Sequence, residues 1–546
     1  MVMKKILFTL VFLLVSITTG AYDVKIDGIY YDVLLKGKIA TVVKGEDRYS
    51  GEVTIPETIE YEGVTCTVTA LDTHVFEGCN VTKVWFPDGI TLISSYTFEN
   101  CKYLESVRLP AKLEAIGSRA FYNCEKLSSL ELPSSLKWIG SRAFCYCSQL
   151  TSLTLPQSLN TIMEYAFMNC KNLTSITLPD ALEVLEEGVF SGCNSITSIN
   201  IPKSLTIIPK DAFCGCKFKS VEIPNNIKTI GERALASTSI ESIVIPESVT
   251  TFGPAVFSGC IDLASVKLPD NMTEIPIRFF WGCRSLKEIQ IPESVTSIGQ
   301  YAFADTGFDN IDFIPADIKD LKYVFSECKN LTTLTIPDGV DYISEGEFSD
   351  CVNLHTVVLP SSVKTIHNYA FSGCTALKEI NLDHLTLITS RVFDGCISLE
   401  AVDMPLVEEI WQSAFQGCHG LKTITLGASI KSLMPSAFGQ CESLEDFYCY
   451  AEVLPEIPER DRYSLFKDSY VEYSTLHVPA SAIELYRSTS PWSSFGSIVP
   501  IETGVEQVTS DKSQVTSEEW YTLEGIRVAQ PRKGVYIHNG KVVVIK

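Results

Sequence analysis

Cysteine is the residue whose number and spacing most invite chemistry in this chain. There are 19 cysteines, enough for disulfides, a metal cluster or a thiol nucleophile. Fifteen of them fall in one register, at Cys79, Cys101, Cys124, Cys147, Cys170, Cys193, Cys216, Cys260, Cys283, Cys328, Cys351, Cys374, Cys396, Cys418 and Cys441. Two copies of the register hold Thr238 and Thr306 instead, and a threonine can bond through its hydroxyl but cannot form a disulfide. The column therefore calls for a small buried group with a weak donor, and the expected partner is a turn carbonyl of the same coil. Cys66, Cys145, Cys214 and Cys449 lie outside the register, and their pairing is open from sequence. Cys145 and Cys214 each make a Cys-x-Cys unit, which without a second nearby pair is weak evidence for metal.

The other reactive types do not assemble a site. The seven histidines (74, 355, 367, 384, 419, 477 and 538) form no His-Glu-x-x-His pair, and no Gly-x-Ser-x-Gly elbow, phosphate loop or EF-hand loop occurs. Adjacent carboxylates such as Glu186 with Glu187 and Glu408 with Glu409 read as solvated charge. Asn80, Asn172, Asn271 and Asn330 match the glycosylation pattern but read as turn residues. No nucleophile-and-base set emerges, so the chain reads as a non-enzyme without cofactor or metal.

What positions the cysteines is a repeat. Three residues before each register position stands Phe76, 98, 121, 144, 167, 190, 213, 257, 280, 303, 325, 348, 371, 393, 415 or 438, with Leu235 in the one gap, giving seventeen copies at 22 or 23 residues. A period in the twenties means a solenoid, in which each coil contacts only its neighbours. The unit is Ala-Phe-x-x-Cys-x-x-Leu-x-x-Ile-x-Leu-Pro-x-x-Val-x-x-Ile. In residues 104–110, Val107 and Leu109 alternate with Ser106 and Arg108, the period of a half-buried strand, and Pro110 ends it. A second segment, 113–116, turns the chain. Gly117, Gly140, Gly231, Gly253 and Gly299 follow it, where glycine suggests a positive φ. The Ala-Phe segment is expected to close the coil as a short helical or 3-10 turn.

Residues 1–21 read as a secretory signal: Lys4 and Lys5, an apolar run from Ile6 to Ile17, then Thr19, Gly20 and Ala21. Its removal would take the net charge from −22 to −24, a field that disfavours nucleic acid and anionic membrane as partners. No later stretch is long and apolar enough to span a bilayer. The organisation is then an N-terminal cap (22–66), the solenoid (67–446), a C-terminal cap (447–501) with Trp492 and Phe495 as an aromatic plug, a polar linker (502–517) and a β tail (518–546). In the tail, Glu524-Gly525 and Asn539-Gly540 each separate two strand-like runs, the signature of two hairpins.

The unit resembles the BspA-like leucine-rich repeat of bacterial surface proteins, as in Ile298-Gly299-Gln300-Tyr301-Ala302-Phe303 and Phe371-Ser372-Gly373-Cys374-Thr375-Ala376-Leu377. That resemblance covers the mature chain up to about residue 501. It implies a β-rich leucine-rich-repeat solenoid of about seventeen coils, with caps and a small β-hairpin tail, displayed at the cell surface or outside the cell. It also implies adhesion to host extracellular proteins or to other cells. The general leucine-rich pattern puts its Asn or Cys after the strand, whereas here the cysteine precedes it, so binding residues of other subfamilies do not transfer. The tail resembles the last strands of C-terminal sorting domains of exported Bacteroidetes proteins, whose earlier strands are missing here.

Function is then expected on the outward strand positions. One column reads Ser106, Ser129, Ser152, Ser175, Ser198, Ser220, Ser242 and Ser265, after which the type varies. The second is diverse: Trp85, Arg108, Glu131, Thr154, Thr177, Asn200, Glu222, Val244, Lys267, Gln290 and Asp312. Small hydroxyl residues suit crowded cross-strand neighbours whatever the function. The diverse column is therefore the candidate ligand-facing set, with Trp85 its best single anchor. The expected partner of a monomer of this kind is a protein. A surface component capturing glycan or peptide for nutrient uptake is the alternative, and clustered exposed aromatics would mark sugar capture.

Overall fold

The computed structural model describes residues 22–312, 318–458 and 463–501, with the backbone of 520–521, 527–528, 534–538 and 541–545. The expected signal, the linker and the turn residues Glu524, Gly525, Asn539 and Gly540 lie outside the described residues. The chain divides into two compact units, Met1–Leu377 and Lys378–Lys546.

In the first unit, an N-terminal sheet of five strands has the order Val24–Ile26, Ile29–Leu34, Ile39–Val43, Val64–Leu71, Thr58–Tyr61. Ser50–Thr54 then starts the outward parallel face by pairing with Asn80–Trp85, which pairs with Ser106–Arg108. The face is not evenly hydrogen-bonded. Ser129, Ser152 and Ser175 are joined by single bridges, and Ser242–Val244 with Ser265–Lys267, and Thr333–Thr335 with Thr356–Val358, are fully paired. A second parallel ladder of two-residue strands runs through Leu92–Ile93, Ala115–Ile116, Trp138–Ile139, Thr161–Ile162 and Val184–Leu185.

The Ala-Phe segment builds a third ladder and is not a helix. The amides of Tyr165, Phe167 and Asn169 donate to Glu187, Val189 and Ser191 of the next coil, while those of Ala166, Met168 and Cys170 donate three residues back, to Met163, Tyr165 and Phe167. This alternation leaves no amide of the turn unpaired, and it requires left-handed backbone at Tyr165 (φ 57°) and Asn169 (φ 59°). The expected positive φ therefore belongs to these two positions and not to the glycine column. Gly253 and its equivalents answer a different need. A Cβ on Gly253 would lie 2.3 Å from the amide nitrogen of Glu232 in the preceding coil, so only glycine allows the backbones that close.

Inside, the phenyl rings stack coil upon coil, from Phe76–Phe98 with centroids 5.1 Å apart to Phe190–Phe213 at 6.0 Å. The stack resumes from Phe257–Phe280 at 5.6 Å to Phe348–Phe371, also at 5.6 Å. Burying each ring contributes on the order of 1.5–3 kcal/mol. The cysteines form the adjacent column, and all nineteen are free thiols. Along the register from Cys101, Sγ–H donates to the carbonyl at the Phe position of the preceding coil, as Cys101 to Phe76 (2.9 Å), Cys170 to Phe144 (3.1 Å) and Cys260 to Leu235 (3.1 Å). The bond thus ties neighbouring coils, contrary to the expected bond within a coil. Each such carbonyl accepts twice, as Phe144 does from the Cys147 amide of its own coil (3.1 Å) and from the Cys170 thiol of the next. Only the threonines behave as expected: Thr238 and Thr306 hydroxyls donate to Leu235 (2.8 Å) and Phe303 (2.7 Å) of their own coils.

This geometry sets a prediction. Cys170→Ser retains a donor of similar size and should be mild, whereas Cys170→Leu overpacks a fully buried site and should cost about 1–3 kcal/mol, read from denaturant unfolding.

In the second unit, rings stack from Phe393 to Phe415 (5.1 Å) and Phe438 (5.6 Å). The expected cap contains one further coil. Phe466 stacks on Phe438 at 6.0 Å, and Ser469 Oγ donates to the Phe438 carbonyl at 2.6 Å, as a repeat cysteine would. A longer insert and a serine for cysteine hide this copy from the period. The outward strands Ala401–Met404, Thr423–Leu426, Asp446–Cys449, Thr475–Val478 and Ser497–Pro500 form one parallel sheet. Buried Trp492 packs edge-on to Phe447 and Phe466, both at 5.8 Å, beside helix Ile483–Ser488. In the tail, Gly534–His538 pairs with Lys541–Ile545 and with Trp520–Tyr521, which also pairs with Arg527–Val528, all antiparallel.

Candidate binding surface

Strand alternation decides what the outward face presents. In Ser106–Arg108 the middle Val107 is buried while Ser106 and Arg108 are exposed. The same rule leaves Glu131, Thr154, Thr177, Glu222, Lys267, Gln290 and Asp312 exposed, with the eight column serines beside them. Trp85 is half-buried and in register with Arg108 on the next strand.

Asn200 departs from the expected set. Its carboxamide accepts from the Leu178 amide and donates to the Leu178 carbonyl, both at 2.8 Å. A side chain thereby replaces the missing strand pairing between those coils, so the Asn200 carboxamide is engaged within the scaffold.

Residues 220–223 make no backbone hydrogen bond to either neighbouring coil among the described residues. There a shallow depression of about 540 Å³ is lined by Val221, Glu222, Ile223, Asn225, Ser242, Ile243, Val244, Pro246, Ser265 and Lys267. Val244 is 64% exposed, high for a valine on a strand. Arg108, Glu222 and Lys267 have no ion-pair partner among the described residues, whereas nearby Lys219 pairs with Glu241 at 2.8 Å.

A second surface feature escaped the sequence. The left-handed position two residues before the repeat Phe is often Tyr or Arg, and these side chains stack along the turn face. His74 stacks on Tyr96 at 4.5 Å, Arg142 lies over Tyr165 at 4.8 Å, Arg278 over Tyr301 at 5.4 Å, and Tyr301 stacks on Tyr323 at 5.1 Å. The ridge is half-buried and largely self-neutralised, with Arg119 on Glu99 (3.3 Å) and Arg233 on Asp211 (2.8 Å). The signal was present as recurrent Tyr or Arg at that spacing. In the second unit, Tyr463 and Tyr473 are 86% and 85% exposed.

Reactivity is low inside. Burial pushes the thiols of Cys101, Cys145 and Cys147 up to about 12, which holds them protonated and poorly nucleophilic. Among the described residues, no three His, Cys, Asp or Glu converge as metal ligands, and no helix is long and apolar enough to cross a membrane.

In comparison with known proteins, residues 69–197, 183–309, 297–415 and 321–445 match the BspA type leucine-rich repeat region. Among solved structures, the chain is similar to a leucine-rich repeat protein from Bacteroides ovatus, 28% identical, covering 84% of this chain and 100% of that one, TM-score 0.46. A leucine-rich cell surface protein from Faecalibacterium prausnitzii is 23% identical, covering 83% and 100%, TM-score 0.32. The pneumococcal vaccine antigen PcpA is 18% identical, covering 89% and 99%, TM-score 0.32. No curated protein matches the chain.

Proposed function

The chain belongs to the BspA-type leucine-rich repeat family, and from that premise we propose that it is an exported, non-enzymatic adhesin-like protein that binds host or other-cell proteins through its outward strand face. The observation that carries this reading is the exposed, chemically varied column running beside a column of eight serines on successive coils. A preorganised face of this kind binds without ordering itself first, and many modest contacts then sum to useful affinity. The unpaired cations Arg108 and Lys267 make the strongest single handles on a chain whose net charge is −22.

Exposed Tyr463 and Tyr473 favour glycan capture as a second reading, because phenol rings can pack against sugars. One experiment separates the two. The full chain is presented side by side to matrix proteins, cell-surface extracts and polysaccharides. Protein capture should fall when Arg108 and Lys267 are both changed to Glu, with melting unchanged. Retention by polysaccharide alone would move the function to the second reading.

A further inference from the structure

We propose that the depression at residues 221–267 is a docking site for an extended peptide segment of a partner protein, one carrying a basic and an acidic side chain either side of an apolar one. This deepens the protein-binding reading above and rests on it. Three independent observations converge there.

The first is the column itself. Glu222, Val244 and Lys267 occupy equivalent outward positions in three consecutive coils, so the depression presents an anion, an exposed apolar group and a cation in line. Val244 and Lys267 are direct strand neighbours. At about 4.8 Å per strand, the two charges stand roughly 10 Å apart, between the roughly 7 Å and 13 Å that separate same-face side chains two and four residues apart in an extended peptide.

The second is that neither charge is satisfied. Cross-coil ion pairs are common on this protein, as Lys210 with Glu232 (3.3 Å) and Lys219 with Glu241 (2.8 Å), yet Glu222 and Lys267 have no such partner among the described residues. A ligand of complementary order can pair with both.

The third is the open backbone. Residues 221–223 line the depression, and their amides and carbonyls have no bond to protein among the described residues. A peptide crossing these coils can offer an amide or a carbonyl to such groups as it passes. A sugar would want a ring to stack on, and no aromatic side chain lines this depression. The chemistry points to peptide.

The test exposes the full labelled chain to an array of random eight-residue peptides. Selected peptides should carry a basic and an acidic residue two or four positions apart, the spacings that put both on one face of an extended chain. Lys267→Glu should weaken a selected peptide about tenfold without lowering the melting temperature. The double variant Glu222→Lys with Lys267→Glu should select peptides with the two charges in reversed order, a result that misfolding cannot produce. No selection by the unaltered chain, or unchanged selection by the double variant, overturns the site. If surface-protein capture is lost with Arg108→Glu and kept with Lys267→Glu, the site fails and the proposed function stands. If peptides are selected as described but no protein is captured, the proposed function fails and the site stands.

Discussion

Replacing Phe167 with alanine should lower the stability of its stretch of solenoid by about 3–5 kcal/mol. The ring is fully buried and stacks on Phe144 at 5.2 Å and Phe190 at 5.4 Å, so truncation removes two ring contacts and leaves a cavity that neighbouring coils cannot close. They cannot close it because three hydrogen-bonded ladders fix the spacing between coils. In a solenoid the damage stays near its origin, since stability is roughly a sum over coils and their interfaces. Amide exchange should therefore quicken around residues 144–190 and change little near Phe348. Uniform quickening would show that the first unit opens as a whole. The chain already contains a gentler version of this experiment. At Leu235 the ring is absent, and Phe218 contributes an edge-on ring to Phe213, 6.2 Å away, in the coil before. Phe167→Leu, which has no such neighbour but keeps most of the volume, should cost less, about 1–1.5 kcal/mol.

A sequence period reveals some features of a solenoid and hides others. It identifies equivalent residues, so the buried Phe and Cys columns and the outward Ser106, Arg108 and Lys267 were readable before any coordinates. It does not say which coil an atom reaches. Successive coils repeat the same groups at the same distance, so a thiol bonding its own turn and one bonding the preceding coil look alike in sequence. The glycine column misled for a similar reason: glycine serves both a positive φ and a close backbone approach, and only the neighbour's position separates them. Left-handed Tyr165 and Arg119 were unreadable because side chains of that size seldom adopt such backbone. Here cross-coil amide bonds hold them in it. Asn200 occupies an outward position like its neighbours in the column, and its period gives no sign that its amide would imitate a strand's backbone. At residues 220–223, as at 198–201, the pattern predicts a strand, and the loss of pairing depends on how adjacent coils seat, which no single unit encodes.

Glu347→Gln should make the protein more stable than the unaltered chain at alkaline pH and leave it nearly unchanged at pH 5. Glu347 stands where the repeat has alanine, immediately before Phe348, and is buried inside the first unit. Its carboxyl accepts the Ser344 amide at 2.7 Å, but burial dominates and pushes its pKa up from 4.5 to about 8. Below pH 4.5 the folded and unfolded chains both hold the proton, and the site carries no electrostatic penalty. Between 4.5 and about 8 the unfolded chain releases the proton while the folded one retains it, so stability falls by about 1.4 kcal/mol per pH unit from this group. Above 8 both are ionised and the penalty is constant. Its full size is on the order of 2–5 kcal/mol. Glutamine keeps an acceptor for the Ser344 amide and cannot ionise, so it should abolish this slope; alanine would also remove the charge but would leave that amide without a partner. Denaturant midpoints of the two proteins at pH 5 and pH 9, with amide exchange at residues 343–351, measure the difference. Parallel pH dependence in the two proteins would show that the carboxyl is already ionised in the folded chain.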